Sequence, residues 1–217
     1  VRSAPEHGPP ARLDIGDVSV DTGSEGSKAP DEGSGMRLKY REDKATQAAA
    51  KLLDLNGGRM SHMKLIKLLY LADRRALLQW GRPITFDWYV SMPHGPVLSF
   101  TLDKINADRD PSDPSYWHRH ISERQGHEVA LLAGAPKDQL SAAEEHLLGQ
   151  VFEEFGRMDK WQLRAYSHTL PEWRDPQGSS LPIEIRDIFL AEGRSESEIE
   201  EIEETLRAEA SAEEILG

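Results

Sequence analysis

The chain has 217 residues, 26 Lys and Arg against 38 Asp and Glu, no cysteine, and a net charge of −12. Without cysteine there can be no disulfide, thiolate metal ligand or cysteine nucleophile, and the expected location is a reducing cytoplasm. The charge disfavours a nucleic-acid partner, and no apolar run reaches the roughly 18–20 residues that cross a bilayer.

The acidity belongs to the ends. Residues 1–35 hold seven acids and three bases, and residues 195–217 hold nine acids and one base. Between them, 36–194 carries 22 of each and is neutral. Residues 1–35 also contain fifteen Gly, Pro or Ser and no aromatic, too little apolar surface to offset the entropy of ordering. They are expected to be a disordered leader, native or appended, and Val1–Pro10 lacks the basic start and apolar run of a signal peptide. Residues 36–194 are expected to fold as one domain, followed by an acidic helix over 195–217.

A first helix is expected over about 42–55, stopped by Gly57-Gly58. Ser61 should cap a second, apolar nearly all round its first half and therefore central and buried, which Gly81 closes and Pro83 keeps from continuing. Residues 85–92 are β-prone, the turn Pro93-His94-Gly95-Pro96 follows, and a third helix is expected over 97–107. Two short runs, 117–123 and 127–132, resemble a β-hairpin that would complete a three-stranded antiparallel sheet with 85–92. Ser141-x-x-Glu144 and Asp159-x-x-Gln162 open a fourth and a fifth helix, the first as a capping box. Pro182 suits the first turn of a sixth. Ser195-x-x-Glu198 caps a seventh, whose only stripe is Ile199, Ile202 and Leu206. The expected fold is α+β and mostly helical, with about six or seven helices around a central buried helix and a small three-stranded antiparallel sheet.

No glycine-rich phosphate loop and no Gly-x-Ser-x-Gly elbow is present. His118 and His120, two apart on an expected strand, would share one face, and His94 and His168 could approach from afar. A zinc site needs a further ligand at a recognised spacing, so the plainer reading is exposed strand and hydrogen-bonded turn residues. Asp73-Arg74-Arg75 reads as a solvated or salt-bridged helix face. Core packing is expected for Trp88, Trp117 and Trp161, whereas Trp173, among prolines in a charged loop, is an expected interface anchor. The thin stripe of 195–217 leaves three readings: a solvated helix, docking in a partner groove, or docking onto its own domain.

Three segments carry a family resemblance. Met63-Lys64-Leu65-Ile66-Lys67-Leu68-Leu69-Tyr70-Leu71-Ala72-Asp73 resembles the first signature of the SocA-like antitoxins, the Panacea domain, and Gly81-Arg82-Pro83-Ile84 follows as the helix exit. Tyr89 to Val97, with His94-Gly95-Pro96-Val97, is similar to the family's strand leading into Gly-Pro-Val. Ser167 to Pro176 is the third match; order and spacing agree over about 38–192. Ser91-Met92-Pro93-His94 stands where many members carry an aromatic run.

The resemblance implies a non-enzymatic protein without cofactor that neutralises a protein toxin encoded beside it. In the SocA branch it further implies a proteolytic adaptor that delivers the toxin, SocB, to the ClpXP protease. The toxin would meet a surface formed by 85–92, the 93–97 turn and the 169–176 loop. Tyr89, His94, Gly95, Pro96, His168, Glu172 and Trp173 are its candidate partner-binding residues. Two readings compete: a metal-dependent hydrolase using His118, His120 and His168, and a DNA-binding autorepressor, which the charge distribution opposes.

Overall fold

Alanine and leucine, both strong helix formers, make residues 42–55 the first helix, α1 (Glu42–Leu55), in a computed structural model that describes residues 38–112, 114–132 and 137–216. The expected leader, 1–35, lies outside the described residues. Gly57 and Gly58, at φ 81° and 85°, end the helix in two left-handed steps that side chains with a Cβ rarely adopt. The chain then enters a short strand, β1 (Arg59–Ser61), and a long helix, α2 (His62–Trp80).

Helix α2 is the centre of the fold. Residues 65 through 73 are all buried, and α1 and the helix α5 (Ala142–Phe155) pack against it. Its start differs from expectation in one respect: Ser61 occupies the cap position, but its hydroxyl bonds no helix N–H and is buried without a partner. Its end is as expected, with Gly81 at φ 72° and its N–H on Leu77 O at 2.8 Å.

The sheet has the expected size and other strands. β2 (Tyr89–Met92) turns through Pro93-His94 into β3 (Gly95–Leu98), and β5 (Leu181–Ile183) pairs with the other edge of β2, all antiparallel. Because 95–98 pairs with β2, the next helix, α3 (Ser99–Asn106), starts two residues later than the sequence suggests. Asp87 caps it from a distance, accepting from the N–H groups of Phe100 and Thr101 at 2.9 Å.

The expected hairpin over 117–132 is corrected. Ser115 accepts from the His118 N–H and starts a helical turn, α4 (Tyr116–His120), which seats Trp117 in the core. Only isolated bridges, Ile121 to Leu131 and Gln125 to Glu128, remain of that hairpin, and β4 (Glu128–Ala130) pairs with β1 instead. Pro182 lies in β5, not in a helix; at a sheet edge its missing N–H costs no ladder bond.

The expected box at Ser141 forms, and Asp159 opens its helix with a second one. Ser141 and Glu144 exchange bonds at the start of α5, and Asp159 accepts from the Trp161 and Gln162 N–H groups at the start of α6 (Lys160–Ser167). Then come α7 (Ile185–Ala191) and α8 (Glu196–Leu216). Ile199 and Leu206 are buried and Ile202 packs 3.5 Å from where a Gly81 Cβ would stand, so the last helix docks onto its own domain. The architecture is α+β and mostly helical, with eight helices among the described residues, one more than expected because of α4.

Candidate functional site

The turn between β2 and β3 is built on a position open only to glycine. Gly95 has φ 93°, and a Cβ there would collide with Ser167 Oγ and lie 2.9 Å from Lys67 Nζ and 3.1 Å from His168 Cδ2. One residue of the turn thus touches both the central helix and the end of α6. Lys67, 1% exposed, donates from Nζ to Pro96 O at 2.7 Å. Arg164, on α6, reaches Pro93 O at 3.5 Å.

The segment after α6 closes over the same turn. The His168 and Trp173 rings stack, with centroids 4.0 Å apart and planes 8° from parallel. Trp173 Nε1–H donates to Met92 O at 3.1 Å, and the Arg174 N–H to Ser91 Oγ at 3.2 Å. Beneath them, buried Glu172 accepts from the Tyr70 hydroxyl and from Arg74 Nε, both at 2.8 Å. Arg74 also holds Glu192, at 2.6 Å. The 168–176 segment is therefore tied to α2, β2 and the end of α7 together.

Asp73 anchors the opposite end of the strand. Its carboxylate accepts from the Ile84 and Thr85 N–H groups, the Thr85 hydroxyl and the Tyr89 hydroxyl. Burial pushes this carboxyl up to about 7, against the Thr85 and Ile84 bonds that favour the charge.

Basic groups crowd the turn, and each disfavours the charge of its neighbours. Burial, with the Arg164 charge nearby, brings the Lys67 ammonium down to about 7. His94 and His168 are lowered by burial and then by Arg164 and Lys67, with Asp175 opposing the effect at His168. Arg164 Nε and His168 Nε2 are buried and have no hydrogen-bond partner among the described residues.

Six of the seven expected partner-binding residues gather at or beneath this turn, in two layers, and Tyr89 lies at the other end of β2. Tyr89, 2% exposed, together with Gly95, Pro96 and Glu172, is buried and braces the surface from below. Direct contact from Tyr89 to a partner is closed off by its place between Tyr70 and Asp73. His94 is exposed, and His168 and Trp173 are half-buried.

Two other expectations are corrected. His118 and His120 stand on a helical turn, so residues two apart diverge and do not share a face. His118 Nδ1 bonds Ser115 Oγ and the His120 ring lies against Tyr116, on the α1 side, while His168 stacks at the turn. Among the described residues no three His, Cys, Asp or Glu side chains gather for an ion. Trp161, expected in the core, is 54% exposed at the start of α6, under the Lys160 ammonium.

Sequence reasoning passed over Lys67 and Arg164, and its reading of Asp73 as part of a solvated or salt-bridged helix face is corrected, since Asp73 is buried. Lys67 had a signal, since it interrupts the apolar run of α2 between buried Ile66 and Leu68, and Asp73 closes that run. Arg164 had none, since its role depends on where Pro93 folds back. Among the described residues, no helix is long and apolar enough to cross a membrane.

Comparison with known families gives one match. The model for the antitoxin SocA-like family, Panacea domain, covers residues 65–174, from the first buried leucine of α2 to the arginine that closes over Ser91. No curated protein and no solved structure matches the chain.

Proposed function

Since the chain belongs to the SocA-like antitoxin family across its Panacea domain, we propose that it neutralises a cognate protein toxin by holding it against the 93–96 turn and the 168–176 segment. The observation that carries this reading is the coincidence of the family match with a surface stiffened on all sides. Pro93 and Pro96 fix φ, Gly95 is locked by three neighbours, and Trp173 is bonded to the strand behind the turn. A surface already ordered loses little conformational entropy on binding, so more of the contact energy appears as affinity. Exposed His94 and Trp161 and half-buried Trp173 supply the contacts, and Tyr89 and Glu172 hold them in place.

Delivery of the bound toxin to ClpXP is the finer part of the proposal, with a SocB-like toxin as cargo. Helix α8 is acidic and largely exposed beyond its docked stripe, a surface suited to recruiting a basic partner at an increased association rate.

The test is co-expression with the toxin reading frame encoded beside this gene. Wild-type protein should restore growth and co-purify with the toxin, and His94→Asp with Trp161→Ala should abolish both while the fold persists. Toxin half-life in cells with and without ClpX separates the adaptor from a stoichiometric inhibitor. Growth arrest that wild-type protein fails to relieve would sink the reading.

A further inference from the structure

Four basic side chains from three separate parts of the fold meet at the 93–96 turn: Lys67 of α2, His94 of the turn, and Arg164 and His168 at the end of α6. Neither Lys67 nor Arg164 has a carboxylate partner among the described residues, in contrast to Arg74, Lys44 and Lys104, which are all paired. Hydrogen-bonding capacity is also left over. The Lys67 ammonium has three N–H groups and one acceptor, Pro96 O. Arg164 Nε and His168 Nε2 are shielded from solvent with no hydrogen-bond partner among the described residues. Buried polar atoms without partners are costly and rare, and two sharing one place point to an absent ligand.

We propose that this turn is an anion-receiving site whose ligand is the carboxylate of an aspartate or glutamate side chain presented by the protein partner. This rests on the function proposed above and supplies the chemistry of its contact. The carboxylate enters beside exposed His94, takes the fork of half-buried Arg164, and lies in the field of Lys67 beneath. Lys67 keeps its bond to Pro96, and an incoming carboxylate favours its protonated form. The choice of carboxylate follows from the charge of the whole chain. At −12 the protein repels a polyanionic backbone at range, whereas one carboxylate on a partner brings a single charge to a local basic spot. A polar hole of this kind also selects, since a partner lacking the acid would leave these donors buried and unpaired.

The test uses the full chain, isotope-labelled, without any toxin. Three probes are titrated: a blocked Gly–Glu hexapeptide, its Gly–Gln counterpart, and inorganic phosphate. The Glu peptide should move the His94 and His168 imidazole resonances and the Gly95 amide saturably, and the Gln peptide should not. Arg164→Gln should weaken the Glu peptide about tenfold, as expected for a lost charge-assisted bond, and added salt should weaken it for wild type. If Arg164→Gln does not fold, His94→Gln at an exposed position should show the same direction. Equal shifts from the Glu and Gln peptides would overturn the proposal, as would shifts mapping elsewhere or tighter binding of phosphate than of the Glu peptide. A failed titration beside intact growth rescue removes the carboxylate site alone. Failed rescue with a positive titration removes the toxin-neutralising function and leaves the site.

Discussion

The Tyr70 hydroxyl donates to Glu172 Oε1 across 2.8 Å, joining the central helix to a segment 102 residues further along the chain. Arg74, one turn later on α2, donates to both oxygens of the same carboxylate, at 2.8 and 3.2 Å. With its side chain fully buried, Glu172 is the point at which the 168–176 segment is fixed in height over the turn.

Removing that carboxylate strands two donors. Glu172→Ala should cost about 3 kcal/mol, the scale of breaking a buried ion pair from one side. Tyr70→Phe, which removes one hydrogen bond and no charge, should cost about 1 kcal/mol. Urea unfolding of the two single variants and the double variant measures the coupling. Additive losses would show that the two groups do not share a bond in solution.

Lys67 gives the protein a pH dependence of definite sign. Its folded pKa, about 7, lies below the ordinary 10.5, because burial and then the Arg164 charge disfavour the ammonium. Between those values the unfolded chain holds a proton that the folded chain has released, so this contribution to stability rises with pH. The slope is about 1.4 kcal/mol per pH unit for one proton. Lys67→Met should remove that component. Unfolding free energies at pH 7, 8 and 9 decide the matter, and parallel wild-type and variant curves would refute it.

Gly95→Ala should be among the more damaging single changes at the surface. Alanine at φ 93° is strained by about 1–3 kcal/mol, and its Cβ would displace Ser167, Lys67 or His168. The stacked His168–Trp173 pair should loosen with it. A red shift in tryptophan emission and a lowered midpoint in thermal melting are the expected readouts.

The last helix should show two kinds of residue. Ile199, 0% exposed, should cost about 2–4 kcal/mol on substitution by alanine. Exposed Glu200 and Glu204, replaced by glutamine, should change stability by less than about 0.5 kcal/mol. Deleting 195–217 would therefore confound folding with recruitment. Neutralising the exposed acids tests recruitment alone, read as toxin half-life in the presence of ClpX.

Local rules written in adjacent residues were legible from the chain itself. Gly57-Gly58, Gly81, the Ser141 and Asp159 boxes and the burial of α2 follow from capping chemistry and periodicity, which act over a turn or two of helix. The family signatures were legible for the same reason, as short runs in fixed order. Residues 117–120 were misread because alternating aromatic and basic residues suit a strand; the Ser115 cap and the core site for Trp117 decided for helix.

Strand partners, by contrast, were chosen by the tertiary structure. Nothing near residue 90 announces that residues 181–183 will lie beside it, or that 59–61 will claim 128–130, since pairing energy is gained only when distant segments meet. The cluster of basic side chains at the turn belongs to the same class. Lys67, His94, Arg164 and His168 are spread over a hundred residues, and each alone looks ordinary. They meet only because Gly95, lacking a side chain, lets α2, α6 and the β2–β3 turn close to within contact distance of one another.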